Sequence, residues 1–307
     1  MSHHYPFVIL SNSLRVYTNL ALFLTKNIFL FVTLIEYLEN LKMSINLNEL
    51  PVALQAYKQQ IAATKKDSIE ISLLPAEHLE IWQSKVGGHP YLPLAQQYPQ
   101  SSEGENLQLL AQINFAELPE NNIYPQSGIL QFFINPHDDL YGMDFDDQQK
   151  QDGFKIIFHD SIEHDSANLQ TDFPSFDGDD IYSPISGQAA IQFEKSESYI
   201  DMNNFDFAEK VTDPYDRDDE EEFCDEYTEV ISASGHRLGG YPFFTQTDPR
   251  EYNESIQDYV LLLQIDTDDA GEVDIMWGDS GVGNFFIHPD DLAKRDFSKV
   301  VYNWDCY

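Results

Sequence analysis

Basic side chains are scarce in this chain of 307 residues: 17 Lys and Arg stand against 53 Asp and Glu, a formal charge of −36. A protein that grips phosphate backbones needs many Lys and Arg to displace counterions. Nucleic acid is therefore excluded as a partner, and an anionic membrane surface is disfavoured. Cysteine is nearly missing. Cys224 and Cys306 are too few for a disulfide framework and lie in no C-x-x-C spacing, so two reduced thiols in a cytoplasmic protein are expected. No G-x-x-x-x-G-K-[ST] or G-x-G-x-x-G phosphate loop, H-E-x-x-H pair or Cys/His cluster occurs, and no cofactor or structural metal is expected. What remains suits a soluble protein with a basic partner or bound cations. A hydrophobic fraction of 42% is ample for a sizeable core.

Residues 1–42 differ from the rest. "LALFLTKNIFLFVTLIEYL" (20–38) is apolar but carries Lys26, Asn27 and Glu36. A spanning helix wants about 20 mostly apolar residues, and a central Lys costs about 2.5–3.5 kcal/mol on insertion scales. Three readings compete: a start assigned upstream of Met43, a membrane-associating helix, or an extra packed helix. Inner-membrane association stands on this stretch alone. From Met43 the sequence reads as an ordinary domain running to residue 307. Asn46 and Glu49 have capping-box spacing, with Asn48 an equal N-cap candidate. Leu54, Tyr57 and Ile61 predict a one-faced helix to about Lys66. From "SIEISLL" (68–74) onward, short strands alternate with Gly, Pro, Asn and Asp.

One phrase is written twice: "KVGGHPYLP" (85–93) and "RLGGYPFFT" (237–245). Gln112 follows Gly88, and Gln264 follows Gly240, by the same 24 positions. Around them read "LQLLAQIN" and "YVLLLQID"; then come "SGILQFFI" (127–134) and "SGVGNFFI" (280–287), and then "NPHDDL" and "HPDDL". This order predicts an internal duplication, with copies at 85–160 and 237–307. The paired glycines suit φ > 0 or a close backbone approach, and Pro90 and Pro242 stop any helix. Near-continuous apolar runs mark strands covered on both faces, in which Gln112 and Gln264 need amide partners if buried. The expected fold is α+β, predominantly antiparallel β, with an N-terminal helix and both copies sharing one core. Between the copies lies an acidic insert, 161–236. Residues 136–230 carry 28 acidic and five basic side chains; the acidic run "DPYDRDDEEEFCDEY" (213–227) is read as a solvated loop rather than a binding surface, while "SGQAAIQFEK" (186–195) can join the core.

"SKVGGHPYLP", "LQLLAQINFAELP", "GILQFFI", "GHRLGGYPFF", "LLLQID" and "IMWGDSGVGNFFI" resemble, in order, the signatures of the YwqG-like family of bacterial proteins, over roughly residues 50–307. The resemblance implies a mostly β fold with a helical N-terminal segment. It brings no activity, cofactor or catalytic residue, and residues 1–42 depart from the pattern.

"WGDSGVG" (277–283) contains the phrase around a chymotrypsin-type nucleophile, but no histidine segment of that kind precedes it and the first copy writes "YPQSGIL" in its place; a hairpin turn is expected. "DTDDAGEVD" (266–274) opens like a calcium loop yet has Ala270 at position 5 and Trp277 at position 12, where a bidentate Glu is required. "FDGDD" (176–180) and "DFDD" (144–147) could hold adventitious calcium only. His89, His159 and His236 lie on or beside the repeated units and could meet in space. Candidate binding or structural-motif residues are Gly88, His89, Gln112, His236, Gly240, Gln264, Trp277 and Asp279, with no catalytic or metal residue assigned.

The favoured reading is a non-enzymatic cytoplasmic binding protein, in its specific form an inhibitor or immunity-type partner of a basic protein, for which complementary charge would speed encounter. The alternative is a hydrolase or carbohydrate-active enzyme with paired carboxylates in a groove between the copies.

Overall fold

A computed structural model describes residues 45–307, except 77, 177, 179, 271 and 272; the readings of residues 1–42 lie outside it. Helix is sparse. The N-terminal one is a 3-10 turn, Val52–Tyr57, leading into α1, Lys58–Ala63. It is shorter than the predicted span to Lys66, which already begins a strand. No capping box forms at its start. Glu226, far along the chain, accepts from Ala53 N at 3.1 Å and satisfies one of the free helix-end donors. Leu54 and Ile61 are fully buried, as their spacing predicts, while Tyr57 is partly so and lies 5.5 Å edge-on to Phe223.

The strands are β1 (Lys66–Pro75), β2 (Lys85–Gly87), β3 (Gln108–Asn114), β4 (Ile129–Ile134), β5 (Phe154–His159), β6 (Ile185–Ser186), β7 (Gln188–Ser198), β8 (His236–Gly239), β9 (Val260–Asp266), β10 (Asp268–Ala270), β11 (Val273–Ile275), β12 (Val282–Ile287) and β13 (Val301–Asp305). Helices α2 (Phe207–Lys210), α3 (Glu220–Val230) and α4 (Pro289–Lys294) fill connections. Ten strands form one antiparallel sheet in the order β13-β12-β9-β8-β1-β7-β2-β3-β4-β5. Read outward from its centre, each side is a four-strand meander, β2 to β5 or β8-β9-β12-β13. The long strand that precedes each meander in sequence lies next to the other one: β1 pairs with β8, and β7 with β2. The acidic stretch between the two meanders thus supplies a central strand, β7, which pairs with β1 over ten residues. A second sheet of three short strands runs β10-β11-β6.

The sheet curls. β4 and β12 stand seven places apart, which would separate them by roughly 34 Å in a flat sheet at ~4.8 Å per strand, yet the rings of Phe132 and Phe285 are 4.9 Å apart. Phe154 of β5 likewise meets Tyr302 of β13 at 5.2 Å. The largest apolar cluster therefore draws on both meanders, with Ile71, Ile113 and Phe132 beside Leu263, Phe285 and Tyr302. Strands β3, β4, β9 and β12 are buried on both faces almost throughout, as their unbroken apolar runs predict.

The connection after β4 ties the first meander to the last strand. Gln148 accepts from Tyr302 N at 2.9 Å through its carbonyl and donates its amide to Asn303 Oδ1 at 2.7 Å. Gln149 donates to Lys299 O and Gln151 to Phe297 O.

Candidate functional site

The doubled glycines are there for the backbone. Gly87 and Gly88 have φ of +62° and +66°, and Gly239 and Gly240 of +69° and +72°, where only glycine is unstrained. A Cβ on Gly88 would also lie 2.3 Å from Gln188 Oε1, and one on Gly240 2.7 Å from Ser198 Cβ. Each turn carries the chain back over a buried glutamine. Gln112 Oε1 accepts from Tyr91 N at 2.7 Å, and its Nε2 donates to Ile81 O and Gln83 O at 2.9 and 2.8 Å. Gln264 Oε1 accepts from Phe243 N at 2.8 Å, and its Nε2 donates to Ala233 O and Gly235 O at 2.7 and 2.6 Å. The partners fall at identical sequence offsets in the two meanders. Both side chains are fully buried, and both amides bond the main chain through nitrogen and oxygen, Gln112 Oε1 accepting from Gln131 Nε2 as well.

The three histidines lie apart, with no hydrogen bond or ring contact between any two among the described residues. His89 is exposed and stacks on Phe173 at 4.9 Å. His159 Nε2 is 2.9 Å from Gln131 Oε1. Gln131 spends its own Nε2 on Tyr91 O and Gln112 Oε1, so the imidazole is the donor; burial pushes it down to about 4, and the neutral ring suits that role. His236 is buried, with Nδ1 accepting from Asp266 N at 2.9 Å. That fixes the tautomer: Nε2 carries the proton and donates to Asp268 Oδ2 at 3.0 Å, and this bond holds the Asp268 carboxyl below its ordinary value. Both ring nitrogens are engaged, as in a locked support.

Trp277 is fully buried over Gly283, where a Cβ would come within 2.3 Å of the indole. Asp279 is exposed in the following turn, with Gly278 and Ser280 at φ +53° and +69°. "GDSG" is thus a tight turn, and no histidine bonds Ser280 among the described residues. The aspartates of the failed calcium loop enter a hairpin of β10 and β11. Among the described residues no group of three or more His, Cys, Asp or Glu could hold a metal ion. The eight candidate residues therefore do not converge on one site; they divide between the two Gly-Gly turns and the hairpin before β12.

Two cavities were not foreseen from the sequence. The first, about 610 Å³, opens beside the β4–β5 connection. Glu103, Glu105, Asp138, Asp144, Asp146 and Asp152 line it, against Lys150 as its one Lys or Arg. Several are held in place: Asp138 Oδ1 accepts from Leu140 N and Gly142 N, Asp152 from Ser102 N and Oγ, and Glu105 from Asn135 Nδ2. The Lys150 ammonium, 3.0 Å from Asp144, draws that carboxyl below the usual range. Phe145 stands in this acidic lining with 70% of its surface exposed.

The second cavity, about 450 Å³, lies where the β3–β4 loop meets the second meander. Ile123, Val260, Leu261 and Leu292 give it apolar walls, and Lys66, Asp67 and Gly240 also line it. Tyr124 secures the junction by donating its hydroxyl to Leu262 O at 3.2 Å. Such a signal is invisible in sequence, because its walls come from five separate segments.

No helix among the described residues is long and apolar enough to cross a membrane, and both cysteines are free thiols. No curated protein matches the chain. Residues 84–306, which take in both Gly-Gly turns, both buried glutamines and both meanders, match one family model, so the chain belongs to the family described as Domain of unknown function (DUF1963).

Proposed function

We propose that this DUF1963 member, of the YwqG-like kind, is a cytoplasmic binding protein that takes a basic segment of a partner protein, as an inhibitor or immunity-type protein would, and that its two meanders descend from one duplicated unit. The observation that carries the binding reading is the cavity lined by Glu103, Glu105, Asp138, Asp144, Asp146 and Asp152 around the exposed ring of Phe145. Carboxylates spread along a cavity wall, rather than gathered on one point, suit several Lys or Arg side chains. An exposed aromatic ring among them offers a cation–π seat and an apolar anchor. Much of the ordering cost is already met, because main-chain donors hold the carboxylates of Asp138 and Asp152. The equivalent offsets of the Gln112 and Gln264 hydrogen bonds support the duplication. The hydrolase alternative expects paired carboxylates between the copies; the cavity there has Asp67 as its one lining carboxylate.

The test uses a fluorescein-labelled decapeptide of alternating Lys and Ala, titrated by anisotropy at about 50 and about 300 mM NaCl. Glu103→Gln/Phe145→Ala/Asp146→Asn is compared with Glu221→Gln/Glu222→Gln in α3, which removes the same charge elsewhere. The expected result is salt-sensitive binding that the first variant weakens at least about tenfold and the second less than about threefold. Equal losses in both would mean that bulk charge alone binds the peptide, and the reading would fall.

A further inference from the structure

A third cavity, about 580 Å³, differs from the acidic one in carrying almost no charge. Asp172 is the one charged side chain among its described lining residues, and four glutamines, Tyr98 and Thr171 supply the rest of its polar surface. Its two walls are tied together, Leu94 N donating to Asn168 O at 2.8 Å and Gln170 N to Leu92 O at 2.9 Å. Gln170 Nε2 is spent on Pro93 O, at 3.1 Å, and on Gln96 O. Gln100 Nε2 is spent on Asn106 Oδ1 at 3.0 Å. Each of these two glutamines thereby keeps an Oε1 that no described residue donates to. The Gln97 amide and the hydroxyls of Tyr98 and Thr171 likewise bond no described residue. The Tyr98 ring is nonetheless packed in place, its centroid 6.3 Å from that of Phe133 and 6.4 Å from that of Phe173.

The second half of the chain closes the corresponding place. Advanced by the spacing that carries Gln112 to Gln264, Gln96 and Tyr98 become Asp248 and Arg250. Those two form a buried ion pair, and Arg250 also donates to Tyr259 O at 3.0 Å and to Asn204 Oδ1 at 3.1 Å. There the polar groups answer one another within the fold; around the third cavity several are left unanswered.

We propose that this cavity binds a neutral saccharide of one or two rings. A sugar hydroxyl both donates and accepts, and primary amides, hydroxyls and a single carboxylate offer both roles in return. A phosphate or carboxylate ligand would meet no cation among the described lining residues, and an apolar one would bury the amides unpaired. Leu94, 60% exposed on the same lining, provides an apolar contact for the C–H face of a pyranose. The volume lies within the ordinary range of small-molecule sites.

The experiment records saturation-transfer difference NMR on the full chain with maltose, cellobiose and lactose, each at about 5 mM, and with hexanediol at the same concentration. Transfer to at least one disaccharide, and little to the diol, is expected. Gln97→Ala/Thr171→Val alters two exposed residues of the lining and should cut that transfer at least about fivefold. Glu221→Gln/Glu222→Gln in α3, away from the cavity, should change it less than about twofold. No transfer to any of the sugars, equal transfer to the diol, or transfer that survives Gln97→Ala/Thr171→Val overturns the proposal.

Discussion

Two buried glutamines carry an unusual share of the backbone's needs. Replacing Gln264 by Leu keeps the volume but strips partners from Phe243 N–H, Ala233 C=O and Gly235 C=O. An orphaned buried group costs about 1–3 kcal/mol, so Gln264→Leu should destabilise by roughly 3–5 kcal/mol in urea unfolding; a loss under about 1 kcal/mol would show that water replaces the amide. His159 gives a prediction in pH. Its folded value of about 4 lies below the ~6.5 of an unfolded chain, so between those values the unfolded state binds more protons. Its contribution is complete above pH 6.5 and lost as pH falls through 4. In His159→Gln, which retains an N–H for Gln131 and cannot ionise, the drop in melting temperature across that window should be shallower than in the parent. At this scale the sequence was partly legible. A Gln inside an apolar run announces that its amide must be satisfied. It does not announce the partners, since those carbonyls sit in irregular chain 29 and 31 residues upstream of Gln112. His236 was named as a binding or structural-motif residue, but the groups that fix both its nitrogens, Asp266 N and Asp268, belong to a stretch legible only as a defective metal loop.

Between elements, the telling feature is the exchange of long strands. β1 precedes the first meander yet lies against β8 of the second, while β7 precedes the second and lies against β2. Neither half can complete its own sheet. Residues 47–160 and 185–307, expressed separately, are each expected to show no cooperative thermal transition by circular dichroism. A cooperative transition in either alone would mean that the exchange is dispensable. The two Gly-Gly phrases, the apolar strands and their order could be read from the chain because they are local patterns. The exchange could not, since β7 alternates polar and apolar residues inside a strongly acidic stretch and resembles an edge. The N-terminal helix was foretold too long for a related reason. Its cap comes from Glu226, so the local Asn and Glu spacing carried no information about where it begins.

Across the molecule, a common interior was foreseen and is present: rings from both meanders touch at its centre. The curvature that brings them together was not legible, because bending a sheet is a sum of small twists over ten strands. Curling leaves an outer strand, β13, whose far side would otherwise present a row of unmet donors and acceptors to any passing chain. Gln148 meets the Tyr302 donor there, and Gln149 and Gln151 hold the neighbouring turn. These three glutamines act as a selvedge: they tack the β4–β5 connection along that border, which shortens the hem onto which another copy of the protein could stitch itself.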